Sequence, residues 1–259
     1  MTSFSRYIGI DYSGAETPTA SLKGLRAYVA SGSEAPVEVP PPTSPRRYWT
    51  RRGLAEWLAT TFRAEPPTLV GIDHAFSFPH AYFQQYALAD GWQGFLDDFC
   101  AHWPTDQDVY VDFVRDGICG NGAARQGSPR WRRLTEQRSG TAKSVFHFDV
   151  PGQVAKSTHA GIPWLRFLRR TLGPTVHFWP FDGWVPKSGV HVIAEVYPRL
   201  WHSRYPAAGR TPDQQDAYTV SHWLQETDLA GNLEEFFQPS LTADKRTIAE
   251  IEGWILGVR

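Results

Sequence analysis

A chain of 259 residues, 41% hydrophobic and 14% aromatic, is long enough to bury one large core, and its formal net charge of −1 excludes a generally basic nucleic-acid coat. Its two cysteines, Cys100 and Cys119, have no metal-ligand spacing and fit a reducing, cytoplasmic setting. No stretch approaches the ~20 apolar residues of a membrane span and none reads as a secretion signal, so a soluble protein with no membrane partner is expected.

From the start of the chain, residues 6–11 (RYIGID) read as a buried strand, and Leu25, Ala27 and Val29 alternate as a second strand returning from a turn around Glu16-Thr17-Pro18. Val37 and Val39 mark a weak third strand at an edge, cut short by prolines that cannot donate to a ladder. Thr50 has the side chain of an N-cap, Leu54, Trp57, Leu58, Thr61 and Phe62 recur at helical spacing, and Pro66-Pro67 stops that helix. Residues 68–73 form the next strand, and 80–103 and 107–116 read as helices. From 120 to 143 the pattern dissolves into a basic loop, with Arg125, Arg130, Arg132, Arg133, Arg138 and Lys143 set against Glu136. A helix over 163–172, the segment 175–179 and a strong strand over 190–196 follow, the last carrying Glu195 near its end. Thr211-Pro212 opens a helix to about 227, with proline where its missing N–H costs nothing, and the chain closes with a helix over 242–252 and a short strand over 254–258. This order predicts one α/β domain over 1–259, with a mixed five-stranded sheet, helices on both faces and an insertion at about 80–143.

The acids at the strand ends carry the chemistry. In an open α/β sheet ligands sit beyond the carboxyl ends of the strands, where Asp11, Asp73 and Glu195 fall. Adjacent strands lie ~4.8 Å apart, so acids ending neighbouring strands reach a shared cation, and without one the like charges push a carboxyl toward protonation. Magnesium or manganese suits such oxygens. Asp213 and Asp216, three apart at the start of a helix, share one face and reach toward the same cluster. The ordinary alternatives are that an aspartate after a strand is a turn or cap residue and that Asp213 answers the helix dipole. Glu195, in an otherwise apolar strand, needs a partner or a metal.

The stretches IGIDYSGA at 8–15, VGIDHAFSFP at 70–79, AEVYPRLW at 194–201 and DQQDAY at 213–218 resemble the predicted nucleases of ribonuclease H-like fold grouped as domain of unknown function 429. The resemblance implies that fold and metal-binding acids at Asp11, Asp73, Glu195 and Asp216, with Asp213 as a fifth. It also implies two-metal phosphodiester hydrolysis of DNA or RNA, which requires no nucleophilic side chain. His74 could assist proton transfer or serve as a structural hydrogen-bonder.

Two stretches mix cations with rings in the way that grips phosphates while stacking bases: Arg46-Arg47-Tyr48-Trp49-Thr50-Arg51-Arg52 and Arg130-Trp131-Arg132-Arg133. Arg130, Trp131, Arg132 and Arg133 are the expected nucleic-acid contacts. Ser139-Gly140-Thr141-Ala142-Lys143-Ser144 lacks the GxxxxGK[ST] spacing of a nucleotide loop. Two other functions fit the pattern: an ATP-using phosphotransferase or ATPase of related topology, for which YSGAETPT would be the phosphate turn, and a non-catalytic nucleic-acid-binding module.

Overall fold

The computed structural model describes residues 4–42, 46–89, 91–149 and 154–259. β1 (Arg6–Asp11) lies inside a mixed sheet because its side chains are apolar on both faces, Tyr7 on one and Ile8 and Ile10 on the other. β2 (Arg26–Ser31) pairs with it antiparallel and the two-residue β3 (Val37–Glu38) pairs antiparallel with β2. β4 (Thr68–Asp73) runs parallel to β1 on the other side, β6 (His191–Glu195) is parallel to β4, and β5 (Val176–Trp179) is parallel to β6 at the far edge. The order β3-β2-β1-β4-β6-β5 makes six strands where five were expected. The added strand is β5, whose four residues are all buried. The strand expected over 254–258 reduces to a bridge between Ile255 and Glu195.

Helices cover both faces. α1 (Arg51–Ala64) starts where the Thr50 hydroxyl accepts the Gly53 amide, and it packs with α6 (Val154–Leu172) over the face that carries Ile8, Ile10, Val70, Ile72 and Ile193. α6 begins nine residues before the expected start at 163 and continues through Pro163. A proline there strips the His159 carbonyl of its usual partner four residues on, and the buried Thr105 hydroxyl donates to that carbonyl at 2.5 Å instead. The expected helix over 80–103 is broken into α2 (His80–Gln85) and α3 (Trp92–His102), with Ala87 between them at a φ of 49°. The expected helix over 107–116 shrinks to α4 (Val111–Arg115). The expected basic loop holds a 3-10 turn at Gly122–Arg125 and α5 (Leu134–Ser139), begun by the Glu136 carboxylate, which accepts the Arg133 amide at 3.0 Å.

α7 (Pro212–Leu229) covers the opposite face, and α8 (Leu233–Phe237) and α9 (Ala243–Glu252) complete the chain. α7 lies against the sheet because β1 offers glycine beneath it. A Cβ on Gly9 would stand 2.2 Å from the Ala217 carbonyl and 2.5 Å from the Ser221 amide, and the Ser221 hydroxyl donates to the Tyr7 carbonyl at 3.0 Å. The obstacle is helix backbone, which cannot rotate away. Gly9→Ala should therefore cost about 3 kcal/mol, the upper end of the usual overpacking penalty, read as a shift in the urea midpoint. An unchanged midpoint would mean that α7 is not seated on β1.

Candidate active site

Strand register brings two of the expected acids together. β1 and β4 are paired in parallel with Asp11 opposite Asp73, so their side chains fall on the same face of the sheet, the one covered by α7. Thr211 caps that helix, its hydroxyl accepting the Gln214 amide while the Gln214 side chain accepts the Thr211 amide, so the first turns of α7 deliver Asp213 and Asp216 to the strand ends. All four aspartates line one cavity of about 1020 Å³.

Electrostatics reports their proximity. Burial, and then the charges of Asp73, Asp216 and Asp213, hold the Asp11 carboxyl well above the usual aspartate range, against a hydrogen bond from the Tyr12 amide. Asp73 is raised in the same way, by burial and then by Asp216 and Glu195. Burial also raises Asp216, with His202 pulling it down and Asp213 pushing it up.

Glu195 is not a free member of this group. It pairs in register with Ile72 rather than with Asp73, and that single step turns its side chain to the other face of the sheet. There Arg133 grips it with both ends of its guanidinium, Nη1 to Oε2 at 2.7 Å and Nη2 to Oε1 at 2.5 Å, and the Phe76 amide donates to Oε2 at 3.3 Å. The expected metal ligand is thus half of a buried ion pair. Arg133, expected as a nucleic-acid contact, is buried at 1% exposure, with its guanidinium engaged at the wall of the cavity. Its Nε donates to Glu136 Oε1 at 2.7 Å, and its Nη1 to the Glu252 carbonyl at 3.2 Å. Burial alone would lower the Arg133 pKa, but the charges of Glu195 and Glu136 outweigh it and raise it. Glu136 is pushed up to about 7 by burial, even with Arg133 pulling it down.

The other basic residues divide in the same way. Arg132 donates to the carbonyls of Ala142 and Glu136, and Trp131 packs its ring edge against Phe146, which leaves Arg130 as the exposed cation of that stretch. In the first basic stretch Trp49 and Arg51 are buried. The Arg51 Nη1 donates to the carbonyls of Ser13 (3.1 Å) and Ala15 (2.6 Å), and its Nη2 to that of Glu16 (3.0 Å). It fixes the turn that follows Asp11.

His74 is wedged between the rings of Tyr12 and Phe76, 4.5 and 5.3 Å away, and a Cβ on Gly161 would stand 2.4 Å from its Nε2. Its Nδ1 donates to the Ala75 carbonyl at 2.9 Å, and burial lowers its pKa to about 4, so at neutral pH it is an uncharged packing residue.

The cavity also takes residues that spacing did not single out. Lys156 and Ser157 enter from the start of α6, Lys143 from the stretch after α5, and Tyr197, Arg199 and His202 from the 3-10 turn Pro198–Trp201 and its flanks. The usable signal was positional: Tyr197, Arg199 and His202 follow directly on the carboxyl end of β6, where ligands of α/β sheets collect.

The donor set consists of hard carboxylate oxygens, the chemistry that magnesium or manganese takes. Among the described residues no group of three or more His, Cys, Asp or Glu side chains is placed to hold a metal ion. Among the described residues no helix is long and apolar enough to cross a membrane. No family model, curated protein or solved structure matches the chain.

Proposed function

We propose that this chain is a metal-dependent nuclease that hydrolyses phosphodiester bonds, with Asp11, Asp73 and Asp216 as the carboxylates that would hold magnesium or manganese. The observation that carries the reading is the convergence of acids from β1, β4 and α7 on one cavity that cations also line. An antiparallel β1–β2–β3 unit continued by parallel β4 and β6 is also in keeping with the ribonuclease H-like arrangement, β5 being an addition at the edge.

Metal ions, when bound, supply an activated water and offset charge on the leaving oxygen. The remaining work falls to the chain. Asp11 and Asp73, fixed by strand register, hold their oxygens at a set spacing. Arg51 keeps the turn after Asp11 in one conformation by binding three of its carbonyls. Lys143 and Arg199, both exposed at the cavity, offer charge to the phosphates on either side of the scissile one. Arg133 holds both oxygens of Glu195 in a buried ion pair at the wall of the cavity.

The two α7 acids test this reading. Asp216 acts electrostatically on both Asp11 and Asp73, whereas Asp213 acts on Asp11 and Asp216 and sits in the first turn, where the helix dipole already favours it. Asp213→Asn should cost ~0.3–1 kcal/mol of stability and little activity. Asp216→Asn should weaken manganese binding by about 10-fold or more, as loss of metal-site partners generally does. Calorimetric titration of both variants with manganese decides the matter, and equal affinities would remove Asp216 from the site.

A further inference from the structure

Resting on the nuclease reading, we infer that the cavity takes single-stranded nucleic acid and not a paired segment. Three observations point the same way. The first is the number of separate segments that wall the site. Stretches far apart in sequence stand around Asp11 and Asp73: residues 140–143 and 147–149, the start of α6, the turn after β6 and the start of α7. A duplex carries its phosphates on a convex outer surface, and carboxylates beneath such walls meet that surface poorly, while a single strand can thread in.

The second is the presence of ring faces. Tyr197 and Phe148, both half-buried, line the same cavity as the aspartates. Phe148 is already packed, parallel to Trp103 at 6.4 Å, 4.9 Å from the His159 ring and with the Arg115 guanidinium 5.4 Å from its ring centre, so Tyr197 is the ring left to meet a base. Rings stack bases whatever their sequence, provided the base has left its own stack, which unpaired bases do at little cost. In a duplex those faces are already taken.

The third is size and charge. At about 1020 Å³ the space reaches the top of the range for pockets that hold one drug-sized ligand, so it has room for more than one nucleotide. Lys143, Lys156, Arg199 and His202 line it, with Lys156 also paired to Asp112, and the acids Glu136 and Asp149 share the lining.

The test has two parts. Wild-type protein with manganese is first given bis(p-nitrophenyl) phosphate, a small diester that needs no strand recognition. Asp11→Asn protein, which should bind without cutting, is then titrated by fluorescence anisotropy with a labelled oligothymidine and with a labelled duplex of equal length. The expected result is hydrolysis of the small diester together with binding of the single strand at least about tenfold tighter than the duplex. Tyr197→Leu, which keeps apolar bulk but loses the stacking face, should loosen the single strand several-fold and leave the duplex unmoved. Diester hydrolysis with equal or tighter binding of duplex overturns the inference and leaves the nuclease reading standing, as does hydrolysis with no binding of either polymer. Unchanged single-strand affinity in Tyr197→Leu also overturns it. Absence of manganese-dependent hydrolysis of the diester and of both polymers overturns the nuclease reading, and the inference with it.

Discussion

Arg133→Met should cost about 3–5 kcal/mol, the usual penalty for removing one partner from a buried ion pair and a large share of a domain's ~5–15 kcal/mol of net stability. Arg133 is the cation that Glu195 and Glu136 share, and both carboxylates lie in the interior with it. Without it the two acids are left charged in a low-dielectric setting, or must take up protons. That makes the loss depend on pH in a definite direction. Glu136 already has a folded pKa of about 7, above its ordinary value of 4.5, and in the variant, without the Arg133 charge that pulls it down, it rises further. A carboxyl whose folded pKa is raised stabilises the fold below its unfolded value and loses that contribution as pH climbs through the folded one. The deficit of Arg133→Met relative to wild type should therefore be smaller at about pH 5 than at about pH 8, measured as urea midpoints. Adding Glu195→Gln to Arg133→Met should recover part of the loss, since an amide carries no orphaned charge. A deficit that is the same at both pH values would show that the carboxylates are not left ionised.

The second large effect concerns activity and stability in opposite directions. Asp11→Asn and Asp73→Asn should each lower metal-dependent hydrolysis more than about a hundredfold, beyond the 10–100-fold expected for the outer partners of a metal site. The same substitutions should stabilise the metal-free protein. Asp11 and Asp73 are both raised well above the ordinary value of 3.8, by burial first and by neighbouring acids second. The folded state then binds their protons more tightly than the unfolded chain does, so stability falls as pH rises from about 4 toward the raised values. Asparagine carries no charge to desolvate, and the melting temperature of each variant should exceed that of wild type near pH 8, with the gap closing toward pH 4. Saturating manganese should reverse the order, because only the wild-type site gains from binding the ion. A fall in melting temperature without metal would mark these aspartates as structural, holding the strand ends through contacts that asparagine cannot make.

The sequence by itself determined the parts of this protein that rest on local pattern. The strands at 6–11 and 68–73 were legible because their apolar runs are short, uninterrupted and ended by Asp11 and Asp73. α1 and α7 were legible because Thr50 and Thr211-Pro212 are cap signals followed by helical spacing, and this also put Asp213 and Asp216 on one face. Parallel register then brought Asp11 and Asp73 side by side, as two strands ending in the same way suggest. What only the tertiary structure decided depends on contacts between distant segments. Glu195 and Asp73 differ by one step in register, and since side chains alternate with period two, that step sent Glu195 to Arg133 instead of to the aspartates. Nothing local to 130–133 tells an arginine that grips phosphate from one that grips a glutamate sixty-two positions away. Arg51 likewise reads as a surface cation until the turn after Asp11 closes over it. Pro163 reads as a helix start because its own segment cannot show that Thr105 will satisfy the carbonyl it orphans. Local rules describe what a segment does with its own neighbours, and a buried charge or an orphaned carbonyl is settled by whichever distant group the fold places against it.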